Sequence, residues 1–366
     1  MEVMFVVLTV VFLLYGCFLL KLIYGCFRIQ TFRTEQTSVP ENRFSIIVPF
    51  RNEKENLPKL LNSLENLQYP KEMFEVILVD DFSDDGFQLS NVNVQFSTIQ
   101  NERKTASPKK DAISTAIRKA KYEWIITTDA DCEVRGKWLL ALDNFLQKNP
   151  STEMICGMVF PHSNGSFIQN FQKLDFMSLQ STTIGSFGIN NPFMCNGANL
   201  TYKKTFFHLL NGFVGNENIA GGDDVFMLQK AVKKYPEKVL FLKSQDNLVM
   251  TQPVDSWMAL FFQRVRWASK TKAYSSLYAQ ALASIIFLGN VGFIIALFLG
   301  FFEPKYFYIL LFKIVIDYWL IIQTQKFTDK FSGVTFLISS GVYPFFCVAV
   351  AVYSLLGKYS WKGRKF

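Results

Sequence analysis

The longest apolar segments of the chain lie towards its two ends, and they restrict the possible folds more than any other feature. Residues 3–27 are apolar except for Lys21 and a few small or polar residues. A membrane-spanning helix needs about 20 predominantly apolar residues. The segment is preceded by Glu2 rather than by basic residues, and it is longer than the apolar core of a signal peptide. We therefore predict a transmembrane anchor over residues 1–27.

Three further apolar segments follow, at 277–302, 305–325 and 331–356. The first and the third are long enough to span a bilayer. The second contains Lys313 and Asp317, which lie one helical turn apart and can form an ion pair. Charges at mid-membrane are costly and usually face a partner or a cavity. Both a crossing helix and an interfacial one are consistent with this segment, so the sequence predicts two or three membrane helices within residues 276–357.

Basic residues beside these segments predict the orientation of the chain. Arg28 and Arg33 follow the first segment, and the positive-inside rule then places the middle of the chain in the cytoplasm, at a bacterial cell membrane. The basic tail over 358–366 also favours the cytoplasm, whereas three C-terminal crossings would leave it outside. Eight basic and three acidic residues follow residue 275, and they supply most of the formal charge of +8. A charge in that position indicates a multi-pass membrane protein and not nucleic-acid binding.

Between the apolar ends, residues 28–255 alternate between short strand patterns and helical patterns. We predict strands at 44–49, 74–79, 93–99 and 124–128, and helices at 56–67 and 111–121. The strand segments are mostly continuous apolar runs, which indicates burial on both faces. The alternation predicts an α/β fold, with a mostly parallel sheet and helices on both of its faces. Glycine motifs of dinucleotide enzymes and P-loop NTPases do not follow the strands, which argues against those two classes.

Acidic pairs follow two of the predicted strands. Asp80 and Asp81 follow the second strand, and Asp129 and Asp131 follow the last one. Ligands of open α/β sheets bind beyond the carboxyl ends of the strands, although the first pair is also typical of a solvated turn. Two carboxylates at this spacing can both reach Mg²⁺ or Mn²⁺, which readily share oxygen ligands with a diphosphate. The second pair therefore predicts a divalent-cation cofactor.

Several short motifs occur in order along the chain. They are Pro49-Phe-Arg-Asn-Glu53, Val79-Asp-Asp81, Asp129-Ala-Asp131, and Gly222-Asp-Asp224 followed by Gln263-Arg-Val-Arg-Trp267. Together they resemble the motifs of family 2 glycosyltransferases with a GT-A catalytic domain. The last motif is similar to the QxxRW pattern of the membrane-bound branch of that family. The likeness covers residues 44–270 and implies a GT-A nucleotide-sugar-binding domain flanked by transmembrane helices.

The resemblance implies a donor site for a nucleotide sugar, with a UDP-sugar as the expected donor. The implied donor-binding residues are Pro49, Glu53, Asp80, Asp81, Lys109 and Asp129. Carboxylates suit this pocket because they accept hydrogen bonds from ribose hydroxyls and from ring N–H groups. Lys110 is the neighbouring candidate for the lysine, and a solvated helix N-terminus is the alternative interpretation of this stretch. Asp131 would bind the metal ion, and Asp129 would contact the metal ion or the nucleotide.

The resemblance also implies the catalytic and acceptor-side residues. Asp224 would be the general base, beside Asp223, while a helix N-cap is the simpler interpretation of that pair. Gln263, Arg266 and Trp267 would lie near the diphosphate and the acceptor. They belong to a predicted amphipathic interfacial helix over 256–275, whose basic residues, Arg264 among them, would lie near anionic headgroups. The segment Cys195-Asn-Gly-Ala-Asn-Leu200 resembles an acceptor-side segment, with Asn196 and Asn199 as candidate acceptor contacts.

These inferences favour a membrane-bound inverting glycosyltransferase that uses a nucleotide sugar and a lipid or lipid-linked glycan acceptor. A processive polysaccharide synthase is the main alternative, which QxxRW favours, although the small number of possible spans argues against an export channel. A catalytically inactive membrane scaffold is an alternative of another class, and the intact acidic motifs argue against it.

Overall fold

The computed structural model describes residues 1–86, 96–270 and 276–356, together with the backbone of residues 360–361 and 364–365. The chain divides into two compact units. The sheet unit comprises Gln30–Phe160 and Met194–Gln252, and the helical unit comprises Met1–Ile29, Pro161–Phe193 and Pro253–Phe366. The acidic motifs lie in the sheet unit, and the apolar segments lie in the helical unit.

A seven-stranded mixed sheet forms the centre of the sheet unit. Its strands are β1 (Phe44–Phe50), β2 (Phe74–Asp80), β3 (Phe96–Gln100), β4 (Trp124–Thr127), β6 (Met154–Gly157), β8 (Leu200–Lys203) and β9 (Val239–Leu242). Their order in the sheet is β3-β2-β1-β4-β8-β6-β9, and only β8 runs antiparallel to its neighbours. A small second sheet joins β5 (Cys132–Val134), β10 (Val249–Thr251) and β7 (Val159–Pro161) in that order. The predicted α/β class and mostly parallel sheet are confirmed.

Helices cover both faces of the parallel strands. The helices of the sheet unit are α2 (Leu57–Glu65), α3 (Pro108–Lys119), α4 (Trp138–Lys148), α6 (Lys204–Leu209) and α7 (Asp223–Lys234). Apolar residues of α2 and α4 share one cluster with the even-numbered residues of β1, such as Ile46 and Val48. Ile47 and Ile77 are also buried, and because side chains alternate along a strand they lie on the opposite face. Helix α3 contacts β1 and β2.

Element boundaries differ from the predicted ones by a few residues. Helix α3 begins three residues earlier than predicted, with Pro108 at its first position, where the missing N–H of proline is harmless. The third strand is found as β3, and residues 93–95 of the predicted strand lie outside the described residues. The antiparallel strand β8 was not predicted.

Within its described residues, the helical unit contains four helices that are long and apolar enough to cross a membrane. The helices of this unit are α1 (Glu2–Arg28), α5 (Phe167–Gly188), α8 (Trp257–Ala268), α9 (Leu277–Gly300), α10 (Tyr306–Ile321) and α11 (Gly333–Leu356). The four candidate spans are α1, α9, α11 and the segment Tyr306–Phe327, which joins α10 to a short 3₁₀ helix. These four helices are compatible with membrane association. In the predicted tail, the structure describes only two short paired strands, β11 (Ser360–Trp361) and β12 (Arg364–Lys365).

Glycines allow α1 and α5 to pack with their backbones in contact. A Cβ atom on Gly25 would lie 2.1 Å from the carbonyl oxygen of Gly185, and one on Gly188 would lie 1.9 Å from that of Gly25. No side chain fits at such distances, so only glycine permits this approach. The thiol of Cys26 adds a contact of 3.0 Å to the carbonyl oxygen of Ser181. Helix α5 was not predicted from the sequence.

Candidate active site

The carboxyl ends of β1, β2 and β4 lie at one edge of the parallel sheet and carry the predicted acidic residues. Phe50 at the end of β1 is in register with Asp80 at the end of β2. The N–H of Thr128, just after β4, donates to the carbonyl oxygen of Ile47 in β1 at 3.1 Å. Asp81 follows β2 directly, and Asp129 lies in the turn after β4. The parallel topology therefore gathers these motifs at one edge.

The ammonium group of Lys109 lies between Asp129, after β4, and Asp223, at the start of α7. Lys109 Nζ lies 2.6 Å from Asp129 Oδ1 and 3.5 Å from Asp223 Oδ2. These residues come from the first turn of α3, the turn after β4 and the start of α7. Burial disfavours the charged form of Lys109, but the carboxylates outweigh it and raise the pKa of Lys109 above its ordinary value. The side chain of Lys109 is therefore a paired cation, 24% exposed, rather than a solvated residue of a helix N-terminus.

The neighbouring Lys110 has a different environment. Its side chain is 1% exposed and donates hydrogen bonds to the carbonyl oxygens of Asn216, at 2.6 Å, and Ile219, at 3.0 Å. These contacts hold the loop that precedes α7. The structure thus separates the two candidate lysines, because Lys109 reaches the acidic cluster and Lys110 supports the backbone.

Asp224 is held by two backbone N–H groups. Gly197 N–H donates to Asp224 Oδ2 at 2.9 Å, and Val225 N–H lies 2.8 Å from Asp224 Oδ1. The N-cap of α7 is Gly222, in the left-handed region at φ 67°. Asp223 and Asp224 are therefore the first two helical residues. The interpretation of this pair as a helix N-cap is wrong, because the N-cap is the residue before them. Carboxylates in a first turn are stabilised by the helix dipole.

The close packing around Gly197 explains why the predicted acceptor-side segment has a glycine at this position. A Cβ atom at this position would lie 3.0 Å from Asp223 Oδ2 and 3.4 Å from the Cβ atom of Asp224. The backbone therefore approaches the acidic pair closely. Asn196 begins this turn, and its side chain accepts a hydrogen bond from Ala198 N–H.

Asn199 does not match its predicted role as a candidate acceptor contact. Its side chain is buried, and its amide donates to the carbonyl oxygens of Met158, at 3.0 Å, and Asn247, at 2.7 Å. Its oxygen accepts from the indole of Trp138 at 3.1 Å. Because these groups are all protein atoms in the interior, Asn199 is a structural residue.

Asp81 lies in a polar pocket that the sequence did not predict. Its Oδ1 accepts hydrogen bonds from Asn101 Nδ2 and from Arg103 Nε, both at 2.7 Å. The guanidinium of Arg103 also lies 4.6 Å from the ring centroid of Phe82, which is half-exposed. Asn101 and Arg103 follow β3, the neighbour of β2, and neither belongs to a recognisable motif. Only the strand order could have identified them.

The remaining residues that were predicted to bind the donor lie at the same edge. Asp80 Oδ1 accepts from Ser83 N–H at 2.9 Å, so this carboxylate also organises the turn after β2. Pro49 is paired with Val79 in the register of β1 and β2. Glu53 is half-buried before α2, and its Oε2 accepts from the side-chain amide of Asn56 at 2.8 Å.

The acidic residues after β4 suit a divalent cation in part. Asp129 and Asp131 offer carboxylate oxygens, which Mg²⁺ and Mn²⁺ prefer. Among the described residues, no three His, Cys, Asp or Glu side chains form a cluster that could hold a metal ion. Mg²⁺ is often held by only one or two carboxylates together with substrate phosphates and water. The residues present therefore fit a cation that a diphosphate helps to bind.

The QxxRW motif lies on α8, in the helical unit. Arg264 is the second residue of the motif, and its Nε lies 2.6 Å from Asp175 Oδ2. The guanidinium of Arg264 stacks 4.1 Å from the ring centroid of Trp267. Arg264 also donates to the side chain of Gln263. Arg264 is only 6% exposed, so the expectation that it would lie near headgroups is wrong. Arg266 is half-buried, and Lys272 of the predicted interfacial helix lies outside the described residues.

Comparison with known families agrees with this geometry. Residues 45–209 match the family model of Glycosyl transferase family 2, a segment that runs from β1 through α6. This segment, which is less than half of the chain, is therefore similar to family 2 glycosyltransferase domains, and the structure has an α/β fold with GT-A neighbours.

Three similar proteins illustrate the match. Glycosyltransferase AglE of Haloferax volcanii is 33% identical over 103 residues, which cover 26% of this chain and 32% of that protein. Beta-monoglucosyldiacylglycerol synthase of Trichormus variabilis is 25% identical over 235 residues, covering 61% of this chain and 48% of that protein. The chain thus spans less than half the length of these relatives. The third is the structure of a mannosyltransferase from Pyrobaculum calidifontis in complex with GDP-mannose and Mn²⁺. The alignment covers 97% of this chain and 99% of the mannosyltransferase chain, with a TM-score of 0.58 at 17% identity. This likeness shows a shared fold.

Proposed function

We propose that the protein is a membrane-bound inverting glycosyltransferase that moves a sugar from a nucleotide-sugar donor to a lipid or lipid-linked glycan. The observation that carries this proposal is the cluster of Lys109, Asp129 and Asp223 beside Asp224, within a family 2 domain. It places a fixed cation and several carboxylates at the edge of the sheet where ligands of such folds bind.

The pocket around Asp81 suits the nucleoside of the donor. Asp80, Asp81 and Glu53 offer oxygens that accept hydrogen bonds from ribose hydroxyls and from a base N–H. The half-exposed ring of Phe82, stacked against Arg103, offers a flat surface on which a base can stack. A UDP-sugar is the donor that we propose from the family resemblance; uracil has a ring N–H for such a carboxylate, as guanine and thymine also do.

The diphosphate needs positive charge, which Lys109 supplies at the centre of the cluster. Asp129 and Asp131 would hold Mg²⁺ or Mn²⁺, a cation that stabilises the charge on the departing diphosphate. Lys109 contacts Asp129 directly, so its ammonium is close enough to the proposed metal site to form an ion pair with the phosphate oxygens as they bind. The lysine then restrains both the donor and the start of α7.

Asp224 is the proposed general base. The oxygen of the acceptor hydroxyl forms a bond to the anomeric carbon, the bond from that carbon to the diphosphate breaks, and the hydroxyl proton passes to Asp224. The backbone N–H of Gly197 fixes the Asp224 carboxylate at 2.9 Å. Asp223 is restrained by Lys109 and positions the start of the helix.

A lipid acceptor is supported by the four candidate membrane helices and by the name of the Trichormus relative, a monoglucosyldiacylglycerol synthase. The helices also support a multi-pass protein. Arg28 and Arg33 after the first apolar segment support a cytoplasmic sheet unit, on the side where nucleotide sugars are present. The roles that the resemblance implies for Gln263, Arg266 and Trp267 stay predictions.

A donor panel tests the proposal directly. The full chain in detergent is mixed with UDP-, GDP- and dTDP-sugars, Mg²⁺ or Mn²⁺, and membrane lipids, and transfer is measured with labelled sugar. We expect transfer from one donor, and a loss of about 100-fold or more in Asp224→Asn and Asp131→Asn. Glu237→Gln, an exposed acid after α7, is the matched control and should keep full activity.

The products separate the alternatives. Transfer that survives both aspartate variants would overturn the mechanism. A ladder of long products on a gel would identify a processive polysaccharide synthase, whereas a single added sugar excludes it. A protein that neither binds nor hydrolyses any nucleotide sugar would be a membrane scaffold.

A further inference from the structure

The N-terminal end of α3 contacts the start of α7 and the loop before it through three side chains. Ser107 Oγ accepts a hydrogen bond from Gly221 N–H at 3.3 Å. Lys109 Nζ lies 3.5 Å from Asp223 Oδ2, and the ammonium of Lys110 donates to the loop. Lys109 has a proposed role at the diphosphate, whereas Ser107 and Lys110 have no part in the proposed reaction. Their contacts therefore need an explanation.

The loop between α6 and α7, residues 210–222, has a backbone that is costly to order. Five of its residues have a positive φ angle, namely Asn211, Gly212, Gly215, Gly221 and Gly222. Glycine loses more conformational entropy on folding than any other residue, so a segment of this kind needs fixed contacts to hold one conformation. Because the loop leads directly into Asp223, those contacts also determine where α7 begins.

Two lysine side chains hold the loop by its carbonyl oxygens. Lys110 Nζ donates to Asn216 at 2.6 Å and to Ile219 at 3.0 Å, in the second half of the loop. Lys230 donates to two carbonyl oxygens in the first half, each at 2.6 Å. Lys230 belongs to α7 itself, so it holds the loop only to that helix. Lys110 belongs to α3, which packs on β1 and β2, and it therefore connects the loop to the parallel strands.

The ammonium of Lys110 also reaches α7. It lies 5.0 Å from the ring centroid of Phe226, within the range of a cation–π interaction. Phe226 follows Asp224 by two residues, in the first turn of the helix. An ammonium that is only 1% exposed is costly unless its hydrogens meet acceptors, and here backbone carbonyls and an aromatic face surround it. One buried cation thus anchors both the loop and the turn that carries the proposed base.

We propose that Lys110 is a positioning residue for sugar transfer, which holds the start of α7, and with it Asp224, independently of Lys109. Lys109 can then leave Asp223 and pair with the diphosphate of the donor without displacing the base. In this role Lys110 contacts neither donor nor acceptor, and it acts only through the loop and Phe226. The inference rests on the proposed function, and it assigns different roles to two adjacent lysines, one at the donor and one behind the base.

Amide hydrogen exchange tests the anchoring without any ligand. The full chain in detergent is exchanged and analysed by mass spectrometry on peptides that cover residues 211–228. In Lys109→Met we expect wild-type protection at the start of α7, because Lys110 still holds it. The double variant Lys109→Met/Lys110→Met should exchange there about tenfold faster. Lys204→Met is the matched control, since Lys204 Nζ also donates to a backbone carbonyl, that of Ala120 at 3.0 Å, and it should exchange as the wild type does.

Steady-state transfer tests the role in the reaction. Lys110→Met should lower kcat about tenfold and leave KM for the nucleotide sugar within about twofold of the wild type, because the base moves while the donor site does not. A lysine that only stabilises the fold would not separate the two constants. Ser107→Ala removes the contact to Gly221 and should lower kcat about threefold, again at constant KM. The Ser107 hydroxyl makes no cap bond to α3, so this variant should fold, and it decides the test if Lys110→Met does not.

Three results would overturn the inference: fast exchange at the start of α7 in Lys109→Met alone, wild-type protection in the double variant, or an unchanged kcat in Lys110→Met or, where that variant does not fold, in Ser107→Ala. The two proposals fail in different ways. A wild-type protein that transfers no sugar from any donor would contradict the proposed function, and the exchange rates would still decide whether Lys110 holds α7. Normal transfer by the Lys110 variant would overturn the inference alone.

Discussion

At the scale of single residues, Lys109 is the most informative side chain of the sheet unit. It is a cation shared by Asp129 and Asp223, which come from different motifs. The two carboxylates would repel each other without it. In the protein without ligands, the ammonium of Lys109 is therefore the counter-ion of both carboxylates. A divalent cation would have to share Asp129 with this ammonium or displace it.

The variant Lys109→Met tests this exchange. Removing the ammonium should destabilise the protein by about 1–2 kcal/mol, less than for a fully buried pair because Asp129 is 38% exposed. Thermal unfolding with and without Mg²⁺ should show a larger stabilisation by the cation in the variant than in the wild type. Lys119→Met, at the exposed end of the same helix, should behave as the wild type. An unchanged Mg²⁺ response in Lys109→Met would contradict the exchange.

A second prediction at this scale concerns Gly197. Gly197→Ala places a methyl group 3.0 Å from Asp223 Oδ2, so the acidic pair must shift. Misplacement of a catalytic group by a fraction of an ångström should lower kcat about tenfold or more, with little effect on donor binding. Steady-state transfer rates measure this. Gly341→Ala, where a Cβ atom meets nothing within 4 Å, is the control and should keep the wild-type rate.

Single residues also show what sequence reasoning can reach. Asp80, Asp81, Asp129 and Asp131 could be placed at one sheet edge because strand patterns and parallel topology determine where strands end. Arg103 could not, since its partner Asp81 lies just after the neighbouring strand β2 and no local pattern links the two. Pairing across a sheet depends on strand order, which the sequence pattern left open.

At the scale of elements, helix α5 is the largest omission from the predictions. Its buried residues include Gln172, Asp175 and Gln180 as well as apolar side chains, so polar and apolar positions do not separate into faces. Periodicity predicts helices that are half exposed, and it fails for one buried on several sides. Without α5, the burial of Arg264 on α8 could not be anticipated, because Asp175 is its partner.

The Arg264–Asp175 pair gives a prediction at the element scale. Asp175→Asn should destabilise the helical unit by about 3–5 kcal/mol, since the two side chains are only 7% and 5% exposed and the arginine would lose its counter-charge. The exposed pair Lys148–Glu35 is the comparison, and Glu35→Gln should cost below about 1 kcal/mol. Thermal unfolding in detergent measures both, and equal effects would show that Arg264 is solvated.

At the scale of the whole molecule, neither unit is a continuous stretch of chain. The helical unit is assembled from three segments and the sheet unit from two. The sequence predicted an anchor at 1–27, a catalytic domain at 28–255, an interfacial helix at 256–275, membrane helices at 276–357 and a tail at 358–366. That order placed the segment Pro161–Phe193 inside the catalytic domain, whereas the structure groups it with the helical unit. Composition could not assign it, because the segment is as mixed as the sheet unit.

This arrangement predicts the outcome of a common truncation. Deleting residues 1–29 to obtain a soluble enzyme removes α1 and uncovers the surface of α5 around Gly185 and Gly188. We expect the shortened protein to aggregate on size-exclusion chromatography. Co-expression of residues 1–29 as a separate peptide should restore part of the monodisperse fraction. A monodisperse truncated protein would contradict the prediction.

The close packing of α1 and α5 also has a consequence for biosynthesis. The contact between Cys26 and Ser181 joins residues 155 positions apart. At 5–20 residues per second, a ribosome needs about 8 to 30 s to cover that interval. Throughout that time the nascent anchor presents a glycine surface without its partner, while β1 to β7 emerge and become available to fold. Strands β1 to β4 can therefore pair before α5 is complete, whereas β8 and β9, which complete the sheet, follow α5 along the chain. Any protein that shelters the waiting anchor would act within those seconds.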